Sequence, residues 1–443
     1  MLTQTDVTGR LLTNVFNTLN QLTKVTDGND STHADLVYTI DGLLSTITYP
    51  NGIRVEYGYD GGNRLTTVVH RVVLTSVVLI SYTAVYDNGN RITSITELPS
   101  GDVTSFGYDN ADNLLSETRT GTKPYSGTYT YDKTNRRKTA LVVTNGTTTH
   151  NGTYTYDGAG RLTQVVDSAT RLTEVYTWNA DGTLATSPGS GYTKVFGYDE
   201  EGHLTSIGHN VAGTVTTLYQ YGYGADGNRR WRKDLAGNVW TWYPCGVACS
   251  AGELVEQTSD LTGTTWATSG LYLRAGTGCS SQLMRRNSEY HHADMMGNYG
   301  VITNSTGTIL SSNLYDSFRV QRFTGGSAVS SSRFKNARTD VEALLATGSC
   351  FSNGERGIVL AYDCQSDDCY HCSGRPWKGS CFACYTACCA VLYPDDENAF
   401  KTCSNVMWQD CDDKPQKPIR PPKVPVKPPK TPIKPVAPRQ RVY

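Results

Sequence analysis

The nine residues Tyr154-Thr155-Tyr156-Asp157-Gly158-Ala159-Gly160-Arg161-Leu162 constrain this chain more than any other stretch, because they recur in degraded form from its first residues to about residue 230. An Asp followed three residues later by Gly marks a type I turn. The carboxylate bonds back onto its own turn, and Gly accepts the positive φ that closes it. The residues before the turn alternate aromatic and small, as a strand with two different faces does. The unit predicted is a β-hairpin tip. Copies stand at Tyr59-Asp60, Tyr86-Asp87, Tyr108-Asp109, Tyr131-Asp132, Tyr156-Asp157, Trp178-Asn179, Tyr198-Asp199 and Tyr223-Gly224, with weaker ones at Phe16-Asn17 and Tyr38. Their spacing of about 20 to 27 residues is that of a repeat architecture and accommodates two strands and two turns.

A second regularity sharpens the reading. The residue two before the tip aromatic is aromatic as well, as in Tyr57/Tyr59, Phe106/Tyr108, Tyr129/Tyr131, Tyr154/Tyr156, Tyr176/Trp178, Phe196/Tyr198 and Tyr221/Tyr223. Between them stands Gly or Thr: Gly58, Gly107, Thr130, Thr155, Thr177, Gly197 and Gly222. One face is therefore a ladder of rings and the other is small. Successive rings are expected to meet across neighbouring hairpins, a structural use that strengthens a sheet by a few tenths to about 1 kcal/mol per pair.

Eight or more copies of Y-D-x-x-G-R-L at this period resemble the YD repeat of the RHS family, which includes bacterial polymorphic toxins, insecticidal toxin-complex shell subunits, wall-associated proteins and teneurins. The likeness covers roughly residues 1–320. It implies an all-β fold of tandem hairpins forming a twisted ribbon, which in the family spirals into a hollow shell. The repeat number is low for a full shell, so an open spiral or one completed by self-association is expected. Tyr290-His291-His292-Ala293-Asp294-Met295-Met296-Gly297-Asn298, and then Tyr315-Asp316-Ser317-Phe318-Arg319, resemble the start of the RHS-associated core, with departures at Met295-Met296, Asn298 and Ser317. The aspartyl-protease-like release element of toxin members has no recognisable counterpart.

His291, His292 and Asp294 invite a catalytic or metal reading. Adjacent strand residues face opposite ways, and no third ligand or nucleophile stands at a telling spacing, so a structural role is expected. No catalytic residue, metal or cofactor is assigned.

Composition agrees with a β-array: Gly, Thr, Ser and Asn are abundant. The 443 residues would by length alone suggest about three domains, and the net charge of −1 argues against a generic polyanion binder, so no nucleic-acid partner is expected. No secretion signal is visible. The start, Asp6…Gly9-Arg10-Leu11, already reads as a repeat tip, so the beginning is expected to be a cleavage product or the edge of an incomplete gene, and a missing signal weighs little against export. No transmembrane segment is expected, and the apolar run Val68–Tyr82 reads as a buried strand.

Ten of the 13 cysteines cluster at Cys350, Cys364, Cys369, Cys372, Cys381, Cys384, Cys388, Cys389, Cys403 and Cys411, while Cys245 and Cys249 sit in an earlier loop. Disulfides of unknown pairing suit a small stapled module in an oxidising compartment. Zinc held by the two Cys-x-x-Cys pairs, or thiol redox chemistry, are the other readings. The segment 414–443 combines Pro with Lys and Arg and no acid, and is expected to be an extended polyproline II rod. Its three-residue turn aligns Lys414, Lys417, Arg420 and Lys423 on one edge, a contact for anionic polymers, against the alternative of an inert spacer.

The expected division is a hairpin array over 1–285, a degenerate core over 286–363, a cysteine module over 364–411 and a tail over 412–443. The expected function is a non-catalytic, extracellular or cell-surface structural protein that self-associates into a shell or filament. The alternatives are the shell of a polymorphic toxin with a C-terminal effector, and a carbohydrate-binding adhesion module. Glycans or anionic surface polymers are the other expected partners.

Overall fold

The computed structural model describes residues 1–328, except 29–31, 225–226, 228, 245–253, 276–281 and 319, and beyond these the backbone of five short strands between 332 and 359. The chain divides into two compact units, Met1–Cys411 and Asp412–Tyr443, and every described residue belongs to the first.

No helix occurs among the described residues. Strands β1 (Leu2–Thr5) to β16 (Leu172–Val175) form one sheet and β17 (Thr177–Trp178) to β30 (Gln321–Gly326) a second. Strands β31 (Ser332–Phe334) to β35 (Ile358–Val359) form a third. Within each, every strand pairs antiparallel with its chain neighbour, and no connection crosses over. This is the twisted ribbon of hairpins that the repeat predicts.

The tips explain the regularity. In the tip of Tyr156, the Gly160 N–H donates to the Asp157 carbonyl at 3.0 Å and the Asp157 N–H to the Arg161 carbonyl at 2.9 Å. Gly160 sits at φ +81°. Elsewhere this left-handed position is filled by Asn63, Asn90, Asp112 or Asn135, the side chains that tolerate it best after Gly. The extra residue shifts the register just before each tip aromatic, for example between Thr155 and Tyr156.

Two apolar clusters form the core. One joins Tyr129, Tyr154, Leu162, Val165, Tyr176, Phe196, Leu204, Ile207 and Tyr221. The other joins residues of the first sheet, such as Val25, Ile47, Val55 and Val68, to Val255, Leu273, Met284, Tyr290 and Val301 of the second. The second sheet thus returns over the ring-bearing face of the first. Strands β27 (Glu289–His292) and β28 (Val301–Thr303) are buried at every residue, hence covered on both faces.

One sequence expectation changes. The run Val68–Tyr82 is a hairpin: β7 (Leu65–Val72) and β8 (Val78–Tyr86) flank a turn in which Leu74 is 93 % exposed. Thr75 and Ser76 make the turn, with Ser76 at φ +57°. Strand β26 (Gln282–Arg286) spans position 285 and pairs on to β27. The rings of neighbouring hairpins gather in one cluster, among them Tyr129, Tyr154, Tyr176, Phe196 and Tyr221. An arginine from the preceding tip also covers the next tip aromatic: Arg64 is 4.8 Å from the Tyr86 ring, Arg91 5.1 Å from Tyr108 and Arg136 5.0 Å from Tyr156.

Candidate functional site: tips and interior seam

Each repeat aspartate organises its own tip. Asp157 accepts the N–H of Ala159 and of Arg161 on one oxygen and the Arg161 Nε–H on the other at 2.8 Å. Asp60 with Arg64, Asp87 with Arg91, and Asp132 with Arg136 repeat the bridge, and Asn113 replaces the arginine at Asp109. Burial raises the Asp60 pKa, but the hydrogen bonds from Arg64 and Gly62 outweigh it and hold the carboxyl below its ordinary value. Each tip aromatic then reaches back one hairpin. The hydroxyls of Tyr59, Tyr86, Tyr108, Tyr131, Tyr156 and Tyr198 donate to the carbonyls of Leu44, Leu65, Ile92, Leu114, Arg137 and Leu184. Burial pushes Tyr59, Tyr86, Tyr131 and Tyr156 up to about 12. Thus Asp sets the turn, Arg spans to the next tip and Tyr ties back to the last.

Asp199 varies this theme with His203, whose Nδ1 is 3.1 Å from the carboxylate and whose ring stacks on Tyr223 at 4.7 Å. With Glu201 these are the group among the described residues near enough to share a metal ion. The aspartate and histidine occupy the tip positions of Asp and Arg.

The returning segment is held on the first sheet at three polar places. At the first, Arg10 is 1 % exposed. It bridges Asp6 at 2.8 Å and Asp27 at 3.1 Å and donates to the carbonyls of Leu254 and Tyr272. Arg285 also contacts Asp27. A tip pair that elsewhere is solvated is here a clamp between sheets.

At the second, His70 of β7 faces His292 of β27 with ring centroids 5.7 Å apart, and Tyr49 packs on His292 at 4.5 Å. His292 Nε2 bonds the Thr303 hydroxyl at 2.8 Å, and the Tyr49 hydroxyl donates to the His291 carbonyl. Burial pushes His70 down to about 4, slightly offset by the Ala293 backbone, although neither of its ring nitrogens makes a well-formed hydrogen bond. Burial also drives His292 well below its ordinary value, aided by the two neighbouring imidazoles. Asp294, the third member of the motif, caps an ordinary tip by accepting the N–H of Met296 and Asn298.

At the third, Glu117 accepts the Ser317 N–H at 2.9 Å and the Tyr125 hydroxyl. Asp316 pairs with Arg322, and both carboxyls line a cavity of about 60 Å³ with Tyr82, Arg119 and Asn298. Burial, then the Asp316 charge, raises Glu117; burial raises Asp316. The cavity has room and partners for water.

Sequence reasoning found the tip residues but missed this seam. Its partners are 200 or more residues apart in most cases, such as Glu117 with Ser317 and Arg10 with Leu254. The signals were the departure of His70 from an otherwise apolar run and the His291-His292 pair, and neither names its partner. Cys245, Cys249, Cys364, Cys369, Cys372, Cys381, Cys384, Cys388, Cys389, Cys403, Cys411, Lys414, Lys417, Arg420 and Lys423 lie outside the described residues. Cys350 lies on β34 (Cys350–Asn353).

These features define a repeat ribbon: hairpins locked tip to tip, with the second sheet packed back on the first. The family model of the teneurin YD-shell matches residues 70–243, and that of the RHS repeat matches 41–71. Residues 41–243 thus match models of the RHS/YD-repeat family. Its fold is similar to that in a structure of the Photorhabdus luminescens Tc holotoxin pore carrying a TccC3 mutation, with a TM-score of 0.64 and 18% identity over 81% of this chain and 19% of that one. A crystal structure of TcdB2-TccC3 is similar at TM-score 0.64 and 18% identity, over 82% of this chain and 20% of that one. Another, without the hypervariable C-terminal region, gives TM-score 0.56 and 15% identity over 81% and 19%. The chain therefore spans about a fifth of the length of these chains. No curated protein matches it as a relative.

Proposed function

We propose that the described region is a non-catalytic wall of a polymorphic-toxin shell, which encloses or associates with another polypeptide. The observation that carries this is the return of the second sheet onto the first, clamped by Arg10, the His70–His292 contact and Glu117. A ribbon that served only as a filament would have no need of a polar, interlocked interior. The likeness of fold to TcdB2-TccC3 supports the same reading. Self-association through the ribbon ends and work outside the cell are parts of this proposal, supported by the toxin and teneurin likeness. Among the described residues no helix is long and apolar enough to cross a membrane.

Electron microscopy of the purified full chain tests it. Curved or hollow particles of one or a few copies are expected. Long filaments would favour a surface fibre instead, and growth arrest on cytoplasmic expression that depends on one side chain after residue 363 would identify an effector. For the C-terminal parts we propose a disulfide-stapled module over 364–411 and a cationic rod after it. Non-reducing peptide mapping should recover most of the cysteines in disulfides. Stoichiometric zinc with free thiols would overturn that.

A further inference from the structure

The repeats provide their own control for an interior site. Six of them place an aliphatic side chain three residues after the leucine or isoleucine that opens the strand beyond a tip: Val25, Ile47, Val68, Ile95, Val165 and Ile207. All six are buried in the core. On β11 (Leu114–Thr120) the same position is Glu117, which is only 2 % exposed. Nothing in the array's construction asks for a carboxyl there, so its role lies in what it faces.

Glu117 faces the cavity of about 60 Å³ between the first sheet and two tips of the returning segment, those of Asp294 and Asp316. At the tips of Asp60, Asp87, Asp132 and Asp157, the fourth residue on is an arginine that bridges the aspartate. At the two tips that close the cavity, the fourth residue on is Asn298 or Val320. The cation that accompanies a tip aspartate elsewhere is thus replaced by a neutral side chain at both. The guanidiniums nearby are committed to other acids. Arg119 bonds Glu97 at 3.0 Å and Asp102 at 2.7 Å, and Arg322 pairs with Asp316. The partners of Glu117 are neutral, the Tyr125 hydroxyl and the Ser317 N–H. Burial, and then the charge of Asp316, oppose its ionisation.

A second observation is independent of the carboxyls. Asn298 lines the same cavity and is 2 % exposed. Its Nδ2–H donates to Asp294 Oδ2 at 3.1 Å, which fixes the orientation of the amide. The other end, the carbonyl oxygen Oδ1, is buried and makes no hydrogen bond. A buried acceptor without a donor is costly, and such a group points to an ion or a water that meets it. Carboxylate and Asn carbonyl oxygens are the ligands that hard cations take. The cavity has room for an ion with water beside it. That water also gives an acceptor to the Arg119 Nε–H, which is buried without one.

We infer that this cavity binds a hard divalent cation, calcium or magnesium, through the Glu117 carboxylate and the Asn298 carbonyl oxygen, with water completing its shell. The polar lining offers oxygen donors and, among the described residues, neither imidazole nor thiolate, which sets it against zinc and copper. Glu117 belongs to the first sheet, and Asn298 lies in the turn between β27 and β28 of the second. An ion held by both therefore ties the seam, and the stability of the seam depends on it. The site does not depend on whether the region is a shell.

The test is titration of the metal-free full chain with calcium and with magnesium chloride in mildly alkaline buffer, followed by calorimetry and thermal unfolding. Terbium luminescence sensitised by Tyr82 and Tyr125, which line the cavity, gives a local readout. Binding of at least one of the two ions and a rise of a few degrees in the unfolding midpoint are expected. Glu117→Val, which restores the residue type of the other repeats, should keep the fold and lose both the rise and the terbium signal. Asn298→Ala should weaken binding by about tenfold or more. Asp199→Asn, in the group of Asp199, Glu201 and His203 outside the seam, should leave both readouts unchanged. The inference is overturned if neither ion binds, which would leave the cavity to water and Glu117 to a proton. It is overturned equally if binding and stabilisation survive Glu117→Val or vanish in Asp199→Asn, which would place the ion elsewhere.

Discussion

The same aspartate–arginine tip is built in two surroundings. In the tip of Asp60 and Arg64, the arginine side chain is 32% exposed and the bridge faces water. In the tip of Asp6 and Arg10, the bridge is buried, and Arg10 spends its remaining donors on Asp27 and on two carbonyls of the second sheet. Identical local chemistry serves a turn in one place and a sheet-to-sheet clamp in the other. The difference is burial, which makes an unpaired partner costly in one case and nearly free in the other.

That comparison is broken most sharply by arginine removal. Arg10→Ala leaves Asp6 and Asp27 short of a partner and is expected to lower stability by about 3–5 kcal/mol, whereas Arg64→Ala should cost about 0.5–1 kcal/mol after screening by solvent. Urea unfolding of both variants measures the gap, and equal costs would refute the clamp. The ring ladder offers a second contrast. Tyr154 is 5 % exposed, and Tyr154→Ala should cost about 3–5 kcal/mol. Tyr156→Phe, which loses only the bond to the Arg137 carbonyl, should cost about 1 kcal/mol by the same measurement.

The seam should make stability depend on pH from both sides. His70 has a folded pKa near 4 against 6.5 unfolded. Between those values the unfolded chain binds the extra proton, so stability is complete above about 6.5 and falls as pH drops toward 4, by about 3 kcal/mol. His292 adds to the same acid limb. Glu117 works oppositely: its pKa is raised from 4.5 to about 7, so its contribution is complete below 4.5 and is lost as pH rises through about 7. The two windows overlap with opposite slopes, so unfolding curves between about pH 4 and 7 should tilt toward greater stability at low pH in His70→Leu and toward greater stability at high pH in Glu117→Gln. Unchanged limbs would mean that neither group is buried in solution. The smallest effect belongs to the tips themselves. Gly160→Ala forces a side chain to φ +81° and should cost about 1 kcal/mol, whereas Gly158→Ala meets open space and should be close to neutral.

The ribbon was legible because its causes are local. Asp157, Gly160 and the alternation through Thr155 lie within a few residues of the structure they dictate, and ten or so copies repeat the same message. The tip aromatics were legible as core but not in their partners. Ring contact was the expectation from the face pattern, and the tip arginines, already visible as the R of each repeat, add a cation over the next tip aromatic. The seam was illegible for the opposite reason. His70 and His292 are 222 positions apart, and neither stretch carries a pattern that names the other.

What the sequence by itself determined was therefore the hairpin, its turn chemistry, its period and the family its repeats resemble. Short-range hydrogen bonding and side-chain alternation are written in consecutive residues. What only the tertiary structure decided was where the ribbon closes. Which tip is buried and which histidines meet depend on the accumulated twist of the ribbon. That twist is a sum over many strands in which small differences at each tip decide the final contact.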